Sequence, residues 1–86
     1  MHLVTWRLRG DGTAHTGTGE GVVTDLIWAL SRPDDGVDHV VVRIQPGRMA
    51  IVLFVRALRP GGARDVSAEL VNRVAEAPAM RGWHLL

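Results

Sequence analysis

The chain contains no cysteine, no lysine and no tyrosine, and only one phenylalanine and one asparagine. Without cysteine there are no disulfides, no zinc–thiolate sites and no thiol nucleophile. Without lysine there is no phosphate-binding loop of the Gly-Lys-Ser/Thr kind. Long apolar runs are missing too. The longest, Met49–Val55, falls far short of the ~20 residues needed to cross a bilayer. Met1–Gly10 alternates in polarity and lacks the continuous apolar stretch of a signal peptide. The lack of cysteine suits cytosol and exterior alike; with no signal peptide and no spanning run in view, the expectation is a cytoplasmic protein with no membrane association. The net charge of +1 argues against a dedicated nucleic-acid binder, which is usually strongly basic.

A hydrophobic share of 47% and a charged share of 22% are those of a folded domain rather than a disordered chain. Eighty-six residues make one domain, 1–86. A chain this short buries only roughly 60–65% of its unfolded surface, so its core is thin and self-association is an ordinary way to extend it. All ten basic residues are arginine. With so little asparagine, this looks like GC-rich coding, as in actinobacteria. Arginine is then the default surface cation, and its abundance alone is weak grounds for a phosphate ligand.

The pattern along the chain alternates between two periods. Val4, Trp6 and Leu8 fall on one face of a strand, with Thr5, Arg7 and Arg9 on the other. Gly10–Gly21 is glycine-rich and reads as a loop, or alternatively as a Gly10-Asp11-Gly12 turn followed by a short return strand over Thr13–Thr16. Val22–Ser31 reads as a helix, with Val22, Val23, Leu26, Ile27 and Leu30 on its apolar stripe and Thr18 or Glu20 supporting its start. Trp28 falls almost opposite that stripe. Val37–Gln45 and Arg48–Arg59 read as two strands joined at Pro46-Gly47. Pairing Gln45 with Arg48 puts Val40, Val42, Ile44, Met49, Ile51, Leu53 and Val55 on one face. His39, Val41, Arg43, Ala50, Val52, Phe54 and Arg56 then take the other, with Leu58 beyond them. Pro60-Gly61-Gly62 breaks the chain. A second helix is expected over Val66–Ala77, capped by Asp65 or Ser67 and ended by Pro78. Gly82–Leu86 reads either as a short edge strand or as a tail over the core.

The order strand, helix, strand, strand, helix predicts an α+β, two-layer, ferredoxin-like sandwich, βαββα with a fourth edge strand if Gly82–Leu86 pairs. The N-terminal hairpin would make it ββαββα. Charge divides along the same lines. The segments Met1–Gly10 and His39–Gly61 sum to +6 and the remainder to −5, so a molecule with its helices on one sheet face is polarised.

In that arrangement one sheet face stays open. Val41, Val52 and Phe54 on it would supply apolar contact, and Arg7, Arg43 and Arg56 orientation and charge. Trp28 on the helix layer is a second candidate contact. The expected function is therefore that of a small accessory or regulatory protein acting by protein–protein association. The partner is a second copy of the chain in a homodimer, or a protein with an acidic surface. Two other classes stay open: a small dimeric enzyme of monooxygenase or cyclase type, with a pocket lined by Trp6, His39 or His84, and a nucleic-acid-binding module.

Site chemistry is sparse. His2, His15, His39 and His84 show no paired ligand spacing. Asp34 and Asp35 lie in a Pro-Asp-Asp-Gly turn without a calcium loop around them. Gly17-Thr18-Gly19-Glu20-Gly21 lacks the spacing of a dinucleotide fingerprint. Ser31 and Ser67 have no nucleophile motif. No catalytic residue, cofactor or metal ligand is expected. The RNA-recognition motif shares the expected topology, and Arg48 resembles the basic residue that opens its third-strand signature. Its aromatic stacking positions are occupied here by Ala50 and Val52, so the resemblance does not extend to RNA binding.

Overall fold

The computed structural model describes residues 1–14, 18–56 and 62–86. The elements run β1 (His2–Gly10), α1 (Glu20–Leu30), β2 (Val37–Gln45), β3 (Arg48–Val55), α2 (Gly62–Ala75) and β4 (Trp83–Leu85). The strands form one antiparallel sheet in the order β2-β3-β1-β4. Among the described residues no helix is long and apolar enough to cross a membrane.

Period-two alternation sets the two faces of the sheet. Val4 and Leu8 of β1, Val40 and Val42 of β2, and Met49, Ile51, Leu53 and Val55 of β3 are buried in one core with Val23 and Ile27 of α1 and Val66, Leu70, Val71 and Val74 of α2. The two helices thus cover one face and the other is left open. Pro46 and Gly47 form a two-residue connection with Gln45 opposite Arg48. Gly47 has φ 71°; after a proline held near −65° this is the sign pattern of a type II turn, which needs glycine at its second central position.

Several boundaries differ from those expected. α1 begins two residues before Val22 with no side-chain cap, and Val22, assigned to the apolar stripe, is 47% exposed. Thr18 is buried and donates to Ala79 O (2.8 Å), while the Glu20 carboxylate accepts the Ile44 N–H on the outer edge of β2 (2.9 Å). α2 starts at Gly62 rather than Val66, so Asp65 and Ser67 lie inside it. Ser67 is fully buried. Its hydroxyl donates to Arg64 O and accepts the Trp6 indole N–H (3.1 Å). The Arg64 guanidinium sits 4.5 Å above the Trp6 ring, a cation–π contact.

The connection between α1 and β2 holds a buried charge. Asp35, in the 3-10 turn Pro33–Asp35, is 1% exposed. Its carboxylate accepts the Arg32 N–H at 2.7 Å and lies 3.6 Å from the guanidinium of Arg73 on α2. Arg73 also donates to Leu30 O at 2.6 Å, satisfying a carbonyl that the end of α1 leaves open. A buried carboxylate is tolerated only when paired and hydrogen-bonded, and here the pairing ties both helices together.

Gly82–Leu86 does supply the fourth strand: β4 pairs with β1 through Leu8, Arg9 and Gly10. The N-terminal hairpin is not formed at Thr13 and Ala14, which are not in a strand; the rest of its return strand lies outside the described residues. The same is true of His15, Leu58, Arg59 and the Pro60-Gly61 break. Asp11 instead organises the loop. Its carboxylate accepts the N–H and the hydroxyl of Thr13, and its other oxygen lies 2.7 Å from His84 Nε2 on β4. The Thr13 hydroxyl, then His84 and the Thr13 N–H, hold the Asp11 carboxyl well below the usual carboxylate range. Gly82 comes so close to this loop, at φ 85°, that an added Cβ would collide with the Thr13–Ala14 backbone.

Two outcomes follow for β4. Gly82→Ala is expected to cost roughly 2–3 kcal/mol in urea unfolding, through a strained φ and a backbone collision; an unchanged midpoint would show that this approach does not hold β4. Asp11→Asn is expected to be less stable than the parent at neutral pH. Because the Asp11 pKa is depressed on folding, its contribution is present above the ordinary value of 3.8 and is lost as pH falls further. In the acid range the gap between parent and variant should narrow as pH falls below about 4; a gap that persists undiminished there would show that these contacts do not hold the carboxylate.

Candidate interaction surface

The strand registers place the open-face residues in rows across the sheet. His39, Phe54 and Leu3 form the first row, and Val41, Val52 and Thr5 the second. Arg43, Ala50 and Arg7 form the third, and Gln45, Arg48, Arg9 and His84 the fourth. One half of the face is thus largely apolar and the other is basic. Leu3 is 60% exposed, whereas Val41, Val52 and Phe54 are half-buried. His39 packs edge-on to Phe54, ring centroids 5.3 Å apart, and covers part of it.

In the basic half Arg48 stands directly opposite Arg9, and Arg43 and Arg7 flank Ala50. Like charges opposite one another on adjacent strands repel. Neither row contains an aspartate or glutamate. Among the described residues the side chains of Arg7, Arg9 and Arg48 make no hydrogen bond or ion pair, and the Arg43 guanidinium donates to its neighbouring carbonyl, Val42 O, at 3.2 Å. His84, at the end of the fourth row, is matched by Asp11. The arginines themselves are left to solvent. Arg7, Arg43 and Arg48 surround a depression of about 250 Å³ that Ala50 and Leu86 also line.

Five of the seven expected contact residues, Arg7, Val41, Arg43, Val52 and Phe54, therefore share this face. Arg56 is set apart. It follows the end of β3, and its charge is met by Asp38 at 3.1 Å, the extra residue of an irregularity between Val37 and His39. Trp28, 43% exposed, belongs to the helix layer and is separated from the arginines by the sheet. Leu3 and Arg48 were not among the expected contacts, although continuing the alternation two residues back from Thr5 and from Ala50 reaches both.

The three residues proposed for an enzyme pocket do not converge. Trp6 lies beneath α2, whereas His39 and His84 stand on the open face in its first and last rows. Among the described residues no three histidine, aspartate or glutamate side chains gather in a group able to hold a metal ion. Comparison of the chain with models of protein families, with curated proteins and with solved structures finds no match in any of the three.

Proposed function

We propose that the protein is a ferredoxin-like accessory or regulatory module, working in the cytoplasm, that binds an acidic surface of another protein through its open sheet face. The strand order and the two helices on one face support the ferredoxin-like reading. The observation that carries the function is the pair of adjacent arginine rows with no acid in either, bordered by Leu3, Phe54, Val52 and Val41. Arginine and large apolar side chains together are what interface cores favour. Opposite charge on the partner would relieve the repulsion within the rows and speed encounter.

Stacking of this face on a second copy, the homodimer expected above, meets an electrostatic obstacle. A two-fold axis along the strands sets arginine rows against arginine rows. A two-fold axis across the strands lays them on Phe54 and Val52. Either way guanidinium groups are buried without a counter-charge, which is costly. RNA binding has little support from a face whose one phenylalanine, Phe54, is partly covered by His39.

Selection of random displayed peptides on the immobilised protein tests this reading. The peptides retained should be rich in aspartate and glutamate and carry a large apolar residue. They should bind at least tenfold more weakly to Phe54→Asp and to Arg43→Glu, both with unchanged helical circular dichroism. Retained peptides without acids, or equal binding by both variants, would overturn it. Light scattering decides the competing occupant: a stable mass near twice 9.4 kDa that Phe54→Asp abolishes would assign the face to a second copy.

A further inference from the structure

The depression among Arg7, Arg43 and Arg48 has a chemistry more specific than a basic surface. Ala50 is its floor, and the three arginines leave the sheet around it on three sides. Arg43 and Arg7 are its neighbours on β2 and β1, and Arg48 precedes it by two residues on the same face of β3. Strand spacing puts the two flanking Cα atoms about 9–10 Å apart, and Arg48 starts about 7 Å from Ala50 along its strand. Arginine arms are long enough for all three guanidinium forks to meet above the alanine methyl group. A larger side chain at position 50 would fill that space. The lining also includes Gln45, whose amide can donate, and Leu86, whose main-chain N–H is bonded to Arg7 O at 2.9 Å.

We infer that this depression is a binding site for a multiply charged oxyanion, a phosphate or phosphate-ester group, held by Arg7, Arg43 and Arg48. Three guanidinium groups without a neighbouring aspartate or glutamate match a dianion better than a single carboxylate. Each presents a planar fork that fits two oxygens of a phosphate. The volume of about 250 Å³ lies below the ~300–1,000 Å³ of pockets for drug-sized ligands, so it suits one ionic group rather than an extended substrate. Arg43 needs to give up only its bond to Val42 O, and Arg7 and Arg48 have no protein partner among the described residues to release. The site goes beyond the docking reading: it lies in the same face but needs neither a protein partner nor the apolar half.

The test is an amide-resolved NMR titration of the whole chain at constant ionic strength, with inorganic phosphate, O-phosphoserine, acetate and chloride. Phosphate and phosphoserine are expected to give saturable shifts centred on Arg7, Gln45, Arg48 and Ala50, and acetate and chloride none that saturate. Arg48→Gln and Arg7→Gln should each weaken phosphate binding about tenfold, the usual loss for one charged hydrogen-bonding partner. Arg81→Gln, outside the face, should leave it unchanged. Phe54→Ala should leave phosphate binding intact even where it abolishes peptide binding, so the two readings fail separately. Tighter binding of phosphoserine identifies an ester as the ligand, and tighter binding of inorganic phosphate identifies the free ion. Shifts that chloride reproduces, or that persist in Arg48→Gln and Arg7→Gln, overturn the site.

Discussion

Everything described on the open face depends on the register of the β2–β3 hairpin. Side chains alternate along a strand, so a slip of one residue would carry Met49, Ile51, Leu53 and Val55 to solvent and Arg48, Ala50, Val52 and Phe54 into the core. The Pro46-Gly47 connection pins Gln45 to Arg48. The burial of four consecutive inner residues of β3 makes any other pairing prohibitively costly, since each such side chain contributes about 1.5–3 kcal/mol on burial. β1 is then aligned against β3 over eight residue pairs. The position of the arginines is in this sense a by-product of core packing: the inner residues choose the register, and the register sets Arg48 opposite Arg9.

The helix layer is built on different terms. α1 and α2 are joined by apolar packing and by the Asp35–Arg73 pair, in which one buried carboxylate and one long cation satisfy the open end of α1 and the start of the 3-10 turn. Trp6 extends the same logic to the sheet, with its indole N–H on Ser67 and its ring face under Arg64. These polar groups between helices and sheet are thus matched to each other, whereas the Trp83 indole N–H, also buried, has no partner among the described residues. On the outer side of the sheet His84 is matched by Asp11, but the side chains of Arg7, Arg9 and Arg48 have no partner among the described residues, and this marks the contact surface.

Much of this was legible in the chain. Period-two alternation in Met1–Gly10 and His39–Val55 assigned both sheet faces correctly, because a half-buried strand has only two ways to point. The limits lay where a side chain serves a distant partner. Ser67 has the composition of a helix cap, yet it is buried inside α2 to meet Trp6, sixty-one residues away. Glu20 looked like support for a helix start, and it reaches across to β2. Asp35 has the residue type of an ordinary turn, and nothing local reveals that Arg73 makes its burial tolerable. Arg56 read as a contact residue of the open face, because its match with Asp38 arises from an irregularity in β2 that the alternation does not announce. Tertiary pairing, not propensity, decided each of these.

The Glu20 carboxylate on the Ile44 N–H has a consequence for how copies of this molecule can meet. β2 is an outer strand, and an outer strand with open N–H groups is a template on which another chain can add itself, rung by rung. At Ile44 that rung is already taken by a charged side chain from the molecule's own helix. An incoming strand would have to displace the carboxylate and leave it beside its own backbone carbonyls. Growth of the sheet sideways into a continuous ribbon is therefore interrupted at this end of β2.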